Sequence, residues 1–231
     1  MKNFQYPFLL FVLLFSTISC GQQQSTALKE KNDHEVLAIA DYIRGKDFGQ
    51  YEVATFAGGC FWCTEAAFER IRGVREVISG YCGGTIQYPT YRQVASGETR
   101  HAEAIQIYYN PEEVSFETLL EVFFVAHDGS QIDRQGPDVG PQYRSEIFYH
   151  NSAQKKASTD YIQQLNDSGT YNGPIATRIT LYDTFWVAEG YHQDYYPSHQ
   201  DNPYIRNVSK PKVEKVEKAF RHLLKKEYKT L

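Results

Sequence analysis

Methionine is almost absent: there is one in 231 residues, and it is the first. Cysteine is scarce too, with four in the chain and none after Cys82, which excludes a disulfide scaffold at this length. Basic residues are not in excess, since 24 Lys and Arg stand against 28 Asp and Glu for a net charge of −4. Such a chain offers no electrostatic field to a nucleic-acid partner. No internal repeat is visible, and the longest apolar run, Phe8 to Phe15, is too short to cross a bilayer as a helix. What is present is the composition of a folded globular chain, 42% hydrophobic and 15% aromatic. The length suits one domain with an extension. Its 18 tyrosines need hydrogen-bond partners wherever their hydroxyls are buried.

The N-terminus reads MKNFQYPFLLFVLLFSTISC. A Lys, an apolar run, the small and apolar Thr17-Ile18-Ser19 and then Cys20 resemble a bacterial lipoprotein signal, with Thr17 where such signals more often have Leu. The resemblance implies cleavage before Cys20, lipid on that cysteine and a membrane anchor in the cell envelope, facing the periplasm or the exterior. Gly21 to Asn32 is polar and rich in Gln, as a tether would be. Outside the cytoplasm a cysteine pair can be oxidised and needs a dedicated reductant.

Further along, Glu35 to Arg44 has the pattern of a short amphipathic helix, and Tyr51 to Ala57 that of a strand. After Gly58-Gly59 comes a helical stretch, Phe61 to Ile71, and then a strand over Val74 to Cys82. His101 to Tyr109 alternates, with Glu103, Ile105, Ile107 and Tyr109 on one face. Pro111 and Ser115 open a helix with Phe116, Leu119, Leu120 and Phe123 at one-face spacing. Asp128 to Tyr143 is a long loop of the kind that is usually functional. Strands at Ser145–His150 and Ile175–Tyr182 flank a helix at Ala153–Leu165, and a last helix runs from about Pro211 to Tyr228. Helices and strands mix without strict alternation, which predicts a single α+β domain of two layers.

The chemistry concentrates at Gly58-Gly59-Cys60-Phe61-Trp62-Cys63, a Cys-x-x-Cys pair where a strand turns into a helix. Free backbone N–H groups and the helix dipole at such a position favour a thiolate, predicting a lowered pKa for Cys60. Residues three apart on a helix are also close enough for a disulfide. Zinc would need further ligands, which only Cys82 and scattered histidines offer, so no metal is expected. Read by itself, the pair also suits two inert buried cysteines, or a thioredoxin-like disulfide oxidoreductase with a strand running into Cys-x-x-Cys.

Gly59-Cys60-Phe61-Trp62 resembles the signature of the A-type peptide-methionine sulfoxide reductases, which act on the S epimer of methionine sulfoxide. The likeness continues through Ser79-Gly80-Tyr81-Cys82-Gly83-Gly84, Pro89-Thr90-Tyr91 and His101-Ala102-Glu103-Ala104. It extends to Gly136-Pro137-Asp138, Gln142-Tyr143-Arg144-Ser145 and Tyr191-His192-Gln193-Asp194-Tyr195, in order over roughly residues 51 to 220. The resemblance implies a two-layer α/β sandwich with a mixed sheet, a ferredoxin-like core and a long irregular C-terminal part. It divides the chain into a lipoprotein signal at 1–19, a tether and short helix at 20–48, and a catalytic domain at 49–231.

By the same resemblance Cys60 is the nucleophile, and Phe61 and Trp62 line the pocket for the substrate's S-methyl group. Glu103 is the acid beside the sulfoxide oxygen, Tyr91 and Tyr143 are further hydrogen-bond donors, and Asp138 supports the site. His192 reads as a structural, hydrogen-bonded histidine. A proton-donating Glu103 must stay protonated near neutrality, which requires burial among apolar groups. Oxygen transfer leaves a sulfenic acid on Cys60, and a second thiol condenses with it to a disulfide. Many relatives carry recycling cysteines near the C-terminus, which this chain lacks, so the second thiol is Cys63 or, alternatively, Cys82. A thioredoxin-like donor then reduces the disulfide, and no cofactor is required. The expected substrates are proteins and peptides containing methionine sulfoxide, acted on by a monomer.

Overall fold

The computed structural model describes Met1 and residues 35–229. The expected signal sequence after Met1, the expected lipidation at Cys20 and the Gln-rich segment expected to be a tether lie outside the described residues. In chain order the elements are β1 (Leu37–Ala38), α1 (Ile39–Tyr42), β2 (Glu52–Gly58), α2 (Phe61–Glu69), β3 (Val74–Cys82), α3 (Tyr91–Ala95), β4 (Ala102–Tyr109) and α4 (Phe116–Ala126). They continue with β5 (Arg134–Gln135), β6 (Asp138–Val139), β7 (Ser145–Tyr149), α5 (Ser152–Ser168), β8 (Arg178–Leu181), β9 (Phe185–Val187), α6 (Tyr195–Ser198) and α7 (Lys210–Ala219).

One mixed sheet of seven strands runs β1-β9-β3-β4-β2-β7-β8, antiparallel throughout except for the parallel β7–β8 pair. Its middle, β3-β4-β2-β7, joined through α2 and α4, is the split βαβ arrangement of a ferredoxin-like core. A two-stranded hairpin, β5–β6, interrupts the long loop before β7.

Alternation along the strands sends side chains to two cores. Phe56, Tyr81, Ile105, Ile107 and Tyr109 pack beneath α2 and α4 in the main core with Phe68, Leu119, Leu120 and Phe123. Ala57, Ile78, Cys82, Ala104, Tyr108, Phe148 and Phe185 point to the opposite face. The N-terminal segment covers that face with Leu37, Ile39, Tyr42, Ile43 and Phe48, and Phe48 stacks on Tyr108 with ring centroids 4.2 Å apart. An apolar sheet face left in water would be costly, so residues 37–48 are held on the sheet.

Two sequence expectations are corrected, and one strand is added. The helix expected over Glu35 to Arg44 survives only as α1. Leu37 and Ala38 instead pair with Val187 and Trp186 as an edge strand, because β9 offers them unpaired backbone groups. β9 itself, three residues long and too short for a visible pattern in the sequence, exists by pairing with β3. The C-terminal helix stops at Ala219 rather than continuing to Tyr228. Its last turns unwind so that Leu224 bridges Ile71, with Arg72 N donating to Leu223 O at 2.7 Å and Lys225 N to Arg70 O at 2.8 Å.

Candidate active site

β2 delivers the Cys-x-x-Cys segment to one end of the sheet. Gly59 turns the chain there with φ +88°, and a Cβ at this position would meet Gln135 Cβ at 2.6 Å. Cys60 follows as the N-cap of α2, and the helix continues through Phe61, Trp62 and Cys63. Cys60, Phe61, Trp62, Tyr91, Glu103, Asp138, Tyr143 and Tyr204 line one cavity of about 220 Å³. Every catalytic and substrate-binding residue expected from the sequence is therefore brought together, and Tyr204 joins them. A larger cavity of about 780 Å³, between α4, α5 and the start of α7, is lined by none of these residues.

Glu103 stands on β4, on the face shared with Ile105 and Ile107, and is 2% exposed. Burial raises its pKa to about 8, helped by the negative charge of Asp138 and resisted by the hydrogen bond from Phe61 N. That N–H, the first of α2, donates to Glu103 Oε2 at 3.1 Å. Protonated at neutrality, the carboxyl can act as an acid.

Tyr91 opens α3, where Thr90 and Gln93 form a capping box. Its N–H donates to Glu189 Oε1 at 2.9 Å, while Tyr81 Oη donates to Glu189 Oε2 at 2.8 Å. Tyr143 ends a 3₁₀ turn, Pro141–Tyr143. Arg144 pins that turn by donating to Pro141 O and Arg100 O, each at 3.0 Å, and pairs with Glu146 at 2.6 Å. Burial raises the phenol pKa of both tyrosines, and so does the charge of Glu103, keeping them as hydrogen-bond donors. Asp138, on β6, accepts a 2.6 Å hydrogen bond from Tyr204 Oη.

Trp62 is held on several sides. Its indole Nε1 donates to His192 Nδ1 at 3.2 Å. Tyr195 stacks on it with centroids 3.8 Å apart, and Tyr204 meets it edge-on at 6.0 Å. Burial lowers the His192 pKa to about 4, so the ring is neutral and carries its proton on Nε2. The expected structural histidine is thus a clamp on the pocket wall.

The cysteines depart from expectation in their ionisation. Burial pushes the Cys60 thiol up, not down as its place at a helix start predicts, and Cys63 and the Glu103 charge add to the rise. The first N–H of the helix donates to Glu103. Cys63 goes the other way, to about 7, held down by a hydrogen bond from Cys60, by the Lys212 ammonium and by Ser209. Its Sγ lies 3.1 Å from Ser209 Oγ. Cys82 does not join the pair. Strand parity turns it to the opposite face of the sheet, among Ala102, Phe148 and Phe185, with Sγ 3.2 Å from Thr184 O.

The sequence reading gives no site role to Tyr204, Ser209 or Glu189. A π-helical turn, Ile205–Ser209, separates Tyr204 from α7 and directs Ser209 toward Cys63. A small apolar cluster of Ala66, Tyr196, Ile205 and Val213 fixes this segment against α2. No composition signal marks that turn. Among the described residues no three His, Cys, Asp or Glu side chains are placed to hold a metal ion.

A family model described as peptide methionine sulfoxide reductase matches residues 52–224. A protein of Thermus thermophilus named peptide methionine sulfoxide reductase MsrA is 49% identical over 174 residues, spanning 75% of this chain and 98% of its own. One of Haloquadratum walsbyi with the same name is 52% identical over 169 residues, 73% of this chain and 96% of its own. Among solved structures, reduced Mxr1 from Saccharomyces cerevisiae aligns with a TM-score of 0.61 at 32% identity, covering 66% of this chain and 88% of that one. Methionine sulfoxide reductase A of Corynebacterium diphtheriae gives 0.58 at 32% identity, over 69% of this chain and 78% of that one. The chain therefore belongs to the peptide methionine sulfoxide reductase family and is an enzyme that reduces methionine sulfoxide at a thiol.

Proposed function

We propose that the enzyme reduces the S epimer of methionine sulfoxide, with Cys60 as nucleophile and Glu103 as general acid. The observation that carries this reading is the enclosure of both in one cavity, facing the phenols of Tyr91 and Tyr143 and walled by Phe61 and Trp62. The substrate's methyl group packs against the two aromatic rings while its oxygen takes hydrogen bonds from Glu103, Tyr91 and Tyr143. Glu103 gives its proton to that oxygen and takes up the one that Cys60 loses as it attacks. The S–O bond of the substrate breaks, the oxygen ends on Cys60 as a sulfenic acid, and the substrate sulfur is reduced by two electrons to the thioether.

Cys63 then attacks Cys60, forming the disulfide and releasing water. A thioredoxin-like dithiol returns the pair to its reduced state. Cys63 is favoured over Cys82 because Cys60 and Cys63 are hydrogen-bonded, whereas Cys82 faces the other side of the sheet. We assign residues 1–19 as a signal, Cys20 as a lipidated anchor in the cell envelope and the catalytic unit as a monomer. Intact-mass measurement of the native protein tests the lipid, and sedimentation tests the monomer.

The deciding experiment supplies resolved R and S sulfoxides of a methionine peptide with dithiothreitol. Methionine should form from the S epimer alone, and Cys60→Ser should form none. Equal turnover of both epimers, or a full first turnover by Cys60→Ser, would refute the reading.

A further inference from the structure

Lys212 carries a buried charge with no local partner. It stands in the first turn of α7, and although its stem is part-exposed, its Nζ is closed off from solvent and has no hydrogen-bond partner among the described residues. An isolated ammonium out of water is unfavourable, so its neighbourhood must hold a compensating charge. His127 feels the Lys212 charge but cannot compensate it. Its two ring nitrogens are bonded to Phe123 O at 2.6 Å and Ser145 Oγ at 2.7 Å, and the ring is neutral. Lys215, one turn on, is exposed and of the same sign.

Asp128 lines the same cavity as Lys212, but its carboxylate is taken up by Ser130 N, Ser130 Oγ and Gln131 Nε2. Cys63 is the acidic group on which the Lys212 charge acts. Lys212 follows Ser209 by three residues, and Ser209 Oγ touches Cys63 Sγ, so one side of this segment carries both the hydroxyl on that sulfur and the lysine whose charge acts on it. The other groups that bear on Cys63 are the Cys60 thiol, which donates to it, and the Asp138 carboxylate, which opposes its ionisation. Glu103 and the Tyr204 phenol also feel its charge.

We propose that Lys212 is a positioning residue for the recycling half of the cycle, its ammonium being the counter-charge of the Cys63 thiolate. This rests on the reading that Cys63 resolves the sulfenic acid. Two consequences follow from one charge. In resolution, Cys63 attacks as a thiolate. A sulfur–sulfur bond forms, the Cys60 S–O bond breaks, and the departing hydroxide takes up one proton to leave as water. In the disulfide the thiolate is gone, and Lys212 is left buried without compensation. Reduction by a dithiol donor returns two electrons to the pair and restores the thiolate beside Lys212. The oxidised form is thereby disfavoured, as in dithiol proteins that are strong oxidants because their reduced form is stabilised.

The test compares Lys212→Met, Lys212→Arg and the parent protein in full-length form. Methionine released in the first turnover reports on Cys60 and serves as the fold control. Sulfenic acid lifetime, followed by dimedone trapping and mass spectrometry across pH, reports on Cys63. In Lys212→Met the pH midpoint for resolution should rise by about one unit, slowing resolution about tenfold below it. Its disulfide, equilibrated against glutathione, should become about tenfold harder to reduce, a fall of ~30 mV in potential. Lys212→Arg should stay close to the parent in both measurements. Unchanged resolution and potential in folded Lys212→Met would overturn the proposal. If Lys212→Met does not fold, a Lys212→Arg protein with both quantities displaced as far as expected of the methionine variant would overturn it equally. A Cys60–Cys82 disulfide persisting in Cys63→Ser would instead overturn the assignment of Cys63 on which it rests.

Discussion

Phe61 N–H, the first of helix α2, points at Glu103 Oε2 from 3.1 Å, so the helix start that carries Cys60 serves the carboxyl and not the thiol. Two groups 42 residues apart in sequence are thereby locked in one geometry. The same contact opposes the rise of the Glu103 pKa, and burial still carries it to about 8.

Catalysis should follow that value. Glu103 is an acid with a raised pKa, so its proton is present below about 8 and lost above it. The single-turnover rate is expected to hold through neutrality and fall as pH rises past about 8. Glu103→Gln keeps the shape but has no proton to give, and should cost ~10²–10⁴-fold in rate. Rapid-quench measurement of methionine against pH in both proteins checks this.

Stability should show the same sign. Glu69, at about 7, and Glu65 are also raised by burial above the ordinary 4.5. Between 4.5 and each raised value the folded state binds protons that the unfolded chain has released. Their contribution is therefore complete at low pH and declines as pH rises through about 7 and about 8. Glu103→Gln should flatten part of that decline and be the more stable protein at pH 9. Urea midpoints of both proteins between pH 5 and pH 9 test it.

Removing the clamp on Trp62 should weaken substrate binding. His192→Ala leaves the indole N–H without its acceptor and opens space beside the ring, at a cost of about 1–3 kcal/mol. The larger effect is expected on KM, since the pocket wall shifts while Cys60 and Glu103 stay in place. His192→Gln, which can offer an acceptor, should recover part of it.

Breaking the buried Arg144–Glu146 pair should loosen the turn that carries Tyr143. Arg144→Met strands a carboxylate that is hydrogen-bonded to Thr180 and frees Pro141 O and Arg100 O, so a loss of about 3–5 kcal/mol is expected. Thermal unfolding reads the loss. A Tm within a degree of the parent would show that the pair does not hold the turn.

Cys82→Ala should keep steady-state turnover, because the thiol lies across the sheet from Cys60. Cys63→Ser should release about one methionine per enzyme and then stall. The yield of methionine per mole of enzyme without reductant separates the two.

The sequence by itself determined the elements whose periodicity is local. β3 runs over Val74–Cys82 as its composition indicates, and α4 opens after the Ser115 cap. It also determined that Glu103 shares a face with Ile105 and Ile107, since alternation along one strand needs no partner to define it. The motifs around Cys60, Tyr91, Glu103, Asp138 and Tyr143 named a set that the fold gathers into one cavity. Tertiary structure alone decided the rest, because each remaining feature depends on groups far apart in the chain. Strand β9 exists only through its pairing with β3 and β1. Glu189 reaches Tyr81 and Tyr91 across about a hundred residues, as its separations of 108 and 98 show. Tyr204 meets Asp138 only because a π-helical turn presents it there. The direction of ionisation in the cysteine pair was decided in the same way. A helix start favours charge on Cys60, but burial, Glu103, Ser209 and Lys212 move that charge to Cys63, and desolvation and neighbouring charges are properties of the packed molecule.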